Sequence, residues 1–167
     1  MEIVHSLYLL RHAKSSWDDP SLADHERPLS HRGARGAQLM AAQLRGAVEP
    51  ALVLCSTALR ARQTLQALSL ASEVCYEDGL YAAGAAELLG RLQRLADQVA
   101  SAMVIGHNPG LQLLAVSLTG QGDPLLIARL REKLPTGALV KLVFQGPWAS
   151  LEEGRATLED LVVPRDL

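Results

Sequence analysis

The chain has 167 residues, enough for one well-filled core and short for two, so a single domain over residues 1–167 is expected. Its residues are 49% apolar yet only 4% aromatic, so Leu, Val and Ala must build the interior, which suits alanine-rich helices on a leucine- and valine-rich sheet. A formal charge of -2 argues against a general nucleic-acid or anionic-membrane binder, while a local cluster of cations can still hold a small anion.

Cys55 and Cys75 lie in apolar, strand-like surroundings without a CxxC spacing, which favours reduced core thiols in a cytoplasmic protein over a disulfide or a zinc site. The opening Met1-Glu2 shows no basic region followed by a long apolar run, so no signal peptide is expected. The most apolar window, Ala102 to Leu118, is interrupted by His107, Asn108 and Pro109 and does not suit a membrane span.

In chain order, Leu7-Tyr8-Leu9-Leu10 is the first apolar run and reads as a buried central strand of a sheet covered on both faces. Arg11 and His12 follow at its end, where ligands bind in open α/β sheets. A guanidinium offers a planar fork of donors to phosphate or carboxylate oxygens, and imidazole is the side chain most readily used as nucleophile or acid/base near neutral pH. The pair therefore predicts an anion held beside a reactive ring. Residues 13 to 29, punctuated by Pro20 and Pro28, read as a long loop over the sheet's edge, placed to cover a site and to let Arg27 reach back to it. Ser30 reads as a helix cap, and Ala37, Met40, Ala41 and Leu44 recur at helical spacing until Gly46.

Ala51 to Cys55 reads as a second strand, and Ser56-Thr57 is expected to cap a helix whose buried face carries Ala58, Ala61, Leu65 and Leu68. Arg60 falls in its first turn, where free backbone donors and the positive end of the dipole already favour an anion, so a cation there needs an anion to hold. Arg62, about 200° further round the helix, reads as a surface arginine. Val74 to Tyr76 reads as a third strand, followed by a turn at Glu77-Asp78-Gly79 and a helix from about Ala85 to Leu95. Ala102 to Gly106 is the next strand, with Asn108 as cap and Pro109 as the first residue of a helix ending near Gly120. Strand ends thus carry Arg11-His12, Ser56 with Arg60 a turn later, and His107, and parallel neighbours would bring them to one edge. Ala138 to Phe144 and Arg155 to Val163 read as a C-terminal antiparallel hairpin. His5, His25 and His31 show no metal-ligand spacing and read as incidental; neither a metal nor another cofactor is expected.

The segments Leu9-Leu10-Arg11-His12-Ala13, Ser56-x-x-x-Arg60-Ala61-x-Gln63-Thr64 and Gly106-His107 resemble the three signatures of the histidine phosphatase superfamily. The run from Arg11 to Pro20, Arg27-Pro28-Leu29, Gly106 to Gly110 and the Pro164-Arg165-Asp166-Leu167 end resemble its small bacterial SixA-like phosphohistidine phosphatase branch, so the likeness covers essentially the whole chain. The resemblance implies an α/β fold, a three-layer sandwich with a mostly parallel central sheet flanked by helices. It also implies His12 as nucleophile, Arg11, Arg60 and His107 as the phosphate pocket, and Arg27 as a further phosphate ligand, with Lys14 and Asn108 beside them as substrate-binding residues. The chemistry of these residues agrees, because phosphoryl transfer needs an in-line nucleophile and positive charge around the equatorial oxygens. Nearby guanidinium charges disfavour imidazolium and should keep His12 neutral. Arginines and His107 supply the charge that Mg²⁺ supplies elsewhere, so no metal is required.

Many larger members of the family place a carboxylic acid over the leaving group, and the candidates here are Glu77 and Asp78. A weak or absent acid suits a phosphoramidate, because phosphohistidine expels an imidazole, a better leaving group than an alkoxide. The chain also lacks room for the large lid insertions of the sugar-phosphate members. The implied activity is removal of phosphate from protein phosphohistidine. Small-molecule phosphate esters are the alternative substrates, and a phosphate-binding module without turnover is the reading from a different class. The implied partner is a phosphorylated protein or a small phosphate compound, with neither nucleic acid nor membrane involved.

Overall fold

The computed structural model describes residues 3–167; Met1 and Glu2, on which the signal-peptide expectation rests, lie outside them. Strand β1 (Val4–Arg11) sends Leu7 and Leu9 into one core and Tyr8 and Leu10 into the other, the alternation that a pleated strand imposes. A strand apolar on both faces belongs in the middle of a sheet. Accordingly β1 pairs in parallel with β4 (Ser101–Gly106) on one side and antiparallel with β6 (Leu139–Gln145) on the other. β2 (Leu52–Ser56) pairs in parallel with both β4 and β3 (Glu73–Glu77). Beyond β6 lie β7 (Ala156–Val162), antiparallel to it, and a short edge strand β5 (Thr119–Gly122) parallel to β7. The order across the sheet is β3-β2-β4-β1-β6-β7-β5, and four of its six pairings are parallel, so the expected mostly parallel sheet with an antiparallel hairpin is present.

Helices complete the three layers. On one face α1 (His31–Leu44) and α2 (Leu59–Leu68) bury Met40, Ala41, Leu44, Ala61, Leu65 and Leu68 against Leu10, Val53, Cys55 and Ile105. On the other, α3 (Ala85–Gln93), α4 (Gly110–Leu118) and α5 (Pro124–Glu132) bury Leu88, Leu92, Leu111, Leu114, Leu118 and Leu130. Each fully buried leucine stabilises the fold by roughly 1.5–3 kcal/mol relative to exposure. No helix of the described residues is long and apolar enough to cross a membrane. Both cysteines are free thiols; Cys55 is buried, which pushes its thiol up to about 12, and Cys75 is half-buried.

Ser30 caps α1 as expected, its Oγ accepting from the Gly33 N–H at 3.0 Å. Two other cap readings are corrected. Helix α2 starts after Ala58, and Ser56 stays on β2, where its buried Oγ accepts from the Ala58 N–H at 3.2 Å. Helix α4 starts at Gly110 with Pro109 in the cap position, while Asn108 accepts from the Gln112 N–H at 3.2 Å and donates to the Leu134 carbonyl at 2.9 Å. Turning from strand direction to helix axis consumes an extra residue or two, so each cap falls later than the first polar side chain. The α5 helix was not anticipated, although Asp123 accepting from the Leu125 N–H at 2.8 Å and Pro124 at the first helical position form a regular helix start.

Residues 13 to 29 lie over the carboxyl ends of the strands and are closed at the neck. Ser15 bridges Leu29, the Ser16 N–H donates to Pro28 O at 2.8 Å, and the Ser30 N–H donates to Lys14 O at 2.9 Å. A Cβ on Gly33 would stand 1.9 Å from Lys14 O, so only glycine lets α1 approach the segment that follows His12. Far from this loop, His5 is fully buried against Phe144 and Trp148, with its ring nitrogens in hydrogen-bond contact with the Gly146 and Asp97 carbonyls.

Candidate active site

Because β1, β4 and β2 are adjacent and parallel, their carboxyl ends deliver side chains to one edge of the sheet. The backbone there is clamped: the His12 N–H donates to Gly106 O at 3.1 Å, and the Gly137 N–H donates to the Arg11 and His12 carbonyls at 3.0 and 2.9 Å. Gly137 reaches them from a left-handed φ of +78° that a side chain would strain. His12 is 6% exposed, and its Nδ1–H donates to the Ala13 carbonyl at 2.7 Å. A carbonyl can only accept, so the neutral ring carries its proton on Nδ1 and leaves a lone pair on Nε2.

The His107 ring lies 5.0 Å from that of His12, centroid to centroid, and its Nε2 shares a 2.8 Å hydrogen bond with Ser56 Oγ. Burial pushes His12 down to about 4, helped by the charges of Arg60, Arg11 and Arg27 and opposed by the Ala13 hydrogen bond. His107 is pushed down to about 3, again first by burial, then by His12 and the Arg60 and Arg11 charges. Both rings are therefore neutral near pH 7. The guanidiniums foreseen as the cause for His12 act second to desolvation.

Three guanidiniums surround the rings. Arg11 donates from Nη1 to Leu134 O at 3.0 Å. Arg27, buried, donates to Ser15 Oγ at 2.8 Å, to Ser16 O at 3.0 Å and to Asp24 Oδ1 at 3.1 Å, so it does reach back across the loop. Arg60, also buried, donates to Asp24 O at 2.7 Å and to Asp24 Oδ2 at 3.0 Å. The Nε donors of Arg11 and Arg60 are buried without a partner, which costs each roughly 1–3 kcal/mol until an acceptor arrives. Arg11, His12, Lys14, Arg27, Arg60, His107 and Asn108 all line one cleft of about 260 Å³, together with Ser15, Trp17 and Thr136. Arg62 points elsewhere: it is exposed, donates to Thr57 O at 3.0 Å, and lines a separate hollow of about 860 Å³.

Glu77 and Asp78 do not line this cleft. Glu77 is paired with Arg91 at 2.8 Å, and Asp78 accepts from Thr57 Oγ1 at 2.6 Å. Both follow from topology, since β3 is the outermost strand on its side and β2 and β4 separate it from β1. The carboxylate at the site is Asp24, which sequence reasoning missed. It lies in a three-residue turn without hydrophobic periodicity, and its Arg60 partner is 36 positions away. The available signal was the anion that Arg60 requires at its helix start. A hydrogen bond from Tyr81, then those from Arg27 and Arg60, hold Asp24 well below the usual carboxylate range, so it is ionised and has no proton to give.

The remaining signature residues tie elements together. Thr64 Oγ1 accepts from the Ala13 N–H at 3.0 Å and donates to Arg60 O at 2.7 Å, while Gln63 accepts from the Leu29 N–H at 2.8 Å. His25 is less incidental than its spacing suggested: its Nε2–H donates to Thr57 Oγ1 at 2.9 Å, and its ring meets the edge of Tyr81, which in turn borders His107. No group of three or more His, Cys, Asp or Glu among the described residues is arranged to hold a metal ion. The arrangement can bind a tetrahedral oxyanion among the guanidiniums and present a neutral imidazole nitrogen to it.

Comparison with known proteins gives the same picture. The family model "Histidine phosphatase superfamily (branch 1)" matches residues 7–109. A Mycobacterium tuberculosis (strain H37Rv) protein of uncharacterized role is 40% identical over 161 residues, covering 93% of this chain and 100% of the relative. A structure named as the phosphohistidine phosphatase SixA of Nakamurella multipartitia superposes with a TM-score of 0.85 at 31% identity, covering 96% of each chain. The protein histidine phosphatase SixA complexed with tungstate superposes with a TM-score of 0.76 at 27% identity, covering 96% of this chain and 98% of the other.

Proposed function

From the premise that the chain belongs to the histidine phosphatase superfamily, we propose that it is a metal-independent phosphatase whose preferred substrate is protein phosphohistidine. The observation that carries this reading is the neutral His12 ring, its Nε2 free, among three guanidiniums in a cleft behind which Asp24, the carboxylate that Arg27 and Arg60 hold, carries no proton. In the proposed reaction His12 Nε2 attacks phosphorus in line, and the bond from phosphorus to the substrate nitrogen breaks. The departing imidazole takes a proton from water and leaves neutral. The hydroxide left by that water then attacks phosphorus, the bond to Nε2 breaks with its electron pair returning to the ring, and hydrogen phosphate departs. Arg11, Arg27 and Arg60 balance the charge on the equatorial oxygens, with Lys14, Asn108 and His107 at the cleft wall.

The missing proton donor is what separates substrates. An alkyl ester must expel an alkoxide, and general-acid help is worth about 10²- to 10⁴-fold to such a step. An imidazole needs far less. The two free thiols support a reducing compartment such as the cytoplasm. The test is turnover of a phosphohistidine peptide against p-nitrophenyl phosphate and an alkyl phosphate, each with and without EDTA. Phosphohistidine and aryl phosphate should be cleaved much faster than the alkyl ester, with no effect of EDTA. Efficient alkyl-ester cleavage would move the function to small-molecule esters, and turnover lost to EDTA and restored by a divalent ion would overturn metal independence.

A further inference from the structure

Trp17 is one of two tryptophans, and the two have opposite fates: Trp148 is 0% exposed, Trp17 71%. An indole offers a large flat apolar face together with one polar N–H, which suits it to contact another ring. Trp17 is not a loose side chain. The Arg27 guanidinium carbon stands 3.5 Å from its ring centroid, and Arg27 is itself held by Ser15, Ser16 and Asp24. The indole is thus stacked on a fixed cation at the mouth of the cleft that contains His12.

The cleft holds more than a phosphate. Its volume of about 260 Å³ equals about nine waters at ~30 Å³ each, whereas a phosphate brings five heavy atoms. Its lining joins the arginines, Lys14 and the two histidines to the indole of Trp17 and to the uncharged side chains of Ser15, Asn108 and Thr136.

We propose that Trp17 walls a leaving-group subsite that selects a flat aromatic ring, such as the imidazole of phosphohistidine. This rests on the phosphatase reading of the cleft and adds the element that recognises what phosphate is attached to. Trp17 is a specificity-determining residue, and it leaves phosphate binding to the arginines.

The experiment compares wild type, Trp17→Leu and Trp17→Phe in kcat/KM for a phosphohistidine peptide, p-nitrophenyl phosphate and an alkyl phosphate, together with the inhibition constant of inorganic phosphate. Trp17→Leu should lower the ratio of phosphohistidine to alkyl turnover about tenfold, mainly through KM, and Trp17→Phe should restore most of it. A second arm uses a non-hydrolysable phosphonate analogue of the peptide. It should quench the exposed tryptophan of wild type more than inorganic phosphate does, and should bind Trp17→Leu more weakly. Equal losses on all three substrates, with weaker inhibition by phosphate, would mean that Trp17 only steadies Arg27 and would overturn the proposal. If wild type turned over none of the substrates, the phosphatase reading would fall, and the analogue arm would still decide whether Trp17 recognises the ring.

Discussion

The two halves of the sheet divide labour. In the parallel half, β3-β2-β4-β1, three adjacent strands end in Ser56, His107 and Arg11-His12, and each leads into a loop or helix that adds a charged or polar group. The other half, β6-β7-β5, in which β6 and β7 are antiparallel and β5 runs parallel to β7, buries Phe144 and Trp148 in the core and sends no imidazole or guanidinium to the cleft. Its contributions there come from the connection before β6: Thr136 at the wall, the Leu134 carbonyl that accepts from Arg11 and Asn108, and the Gly137 N–H. Parallel strands all point the same way, so their ends accumulate on one edge. An antiparallel pair puts its ends on opposite edges and cannot do this.

Changes in the two halves should therefore fail differently. The largest effect is expected from His12→Ala, which should cut turnover by at least about a thousandfold and abolish the phosphoenzyme. Burst labelling with a phosphorylated substrate checks it, and equal labelling of both proteins would remove the nucleophile assignment. Trp148→Ala is the counterpart in the other half. It opens a cavity in a fully buried site and loses the hydrogen bond from Nε1 to Val99 O at 2.8 Å. We expect about 3–5 kcal/mol of lost stability by denaturant unfolding, with kcat/KM of the folded fraction changed only a few-fold. A catalytic collapse in well-folded Trp148→Ala would break the division.

Within the parallel half, Arg60→Ala should cost about a hundredfold in kcat/KM, roughly 3 kcal/mol of transition-state stabilisation, whereas Arg62→Ala on the far side of the same helix should stay within about twofold. The reverse order would invert the helix phase.

Acid titration sharpens the contrast further. In the unfolded chain His12 and His107 take protons near pH 6.5, but in the fold only at about 4 and about 3. Between those limits the unfolded state binds more protons, so stability falls as pH falls. The Tm should drop from pH 7 to pH 5, and should drop less in His12→Ala, where one such ring is gone. The smallest effects belong to Glu77→Gln and Asp78→Asn, which should barely alter phosphohistidine turnover. A collapse of ester cleavage in either variant would identify a proton donor after all.

What could be read beforehand follows from where information sits along the chain. Leu7 to His12 and Ala102 to His107 carry strand and chemistry in one continuous run, so their placement was legible. Ser30 with the spacing of Ala37, Met40, Ala41 and Leu44 marked α1 just as directly. Asp24 was not legible, because nothing local distinguishes a carboxylate that holds two arginines from one facing water. Ser56 looked like a cap, and only the fold brings its hydroxyl to His107, 51 positions on. The β5 strand, Thr119-Gly120-Gln121-Gly122, contains two glycines and little β-forming character; it is a strand because β7 offers it an edge. The mistaken reach of Glu77 and Asp78 had the same origin, since strand order across the sheet is not written in any single segment.

The closed neck of the 13 to 29 loop makes its outer turn an independent attachment point. Its paired stems are fixed at Ser15 and Leu29, and Pro20 and Ser21 between them are exposed. Chain inserted at that turn would leave the stems in register, and each doubling of the flexible length costs only about 0.6 kcal/mol in closure entropy. A small phosphatase could thus acquire a hood over its cleft by inserting residues at one place, with His12 left where it is. The same turn offers engineers a graft site for a substrate-selecting peptide.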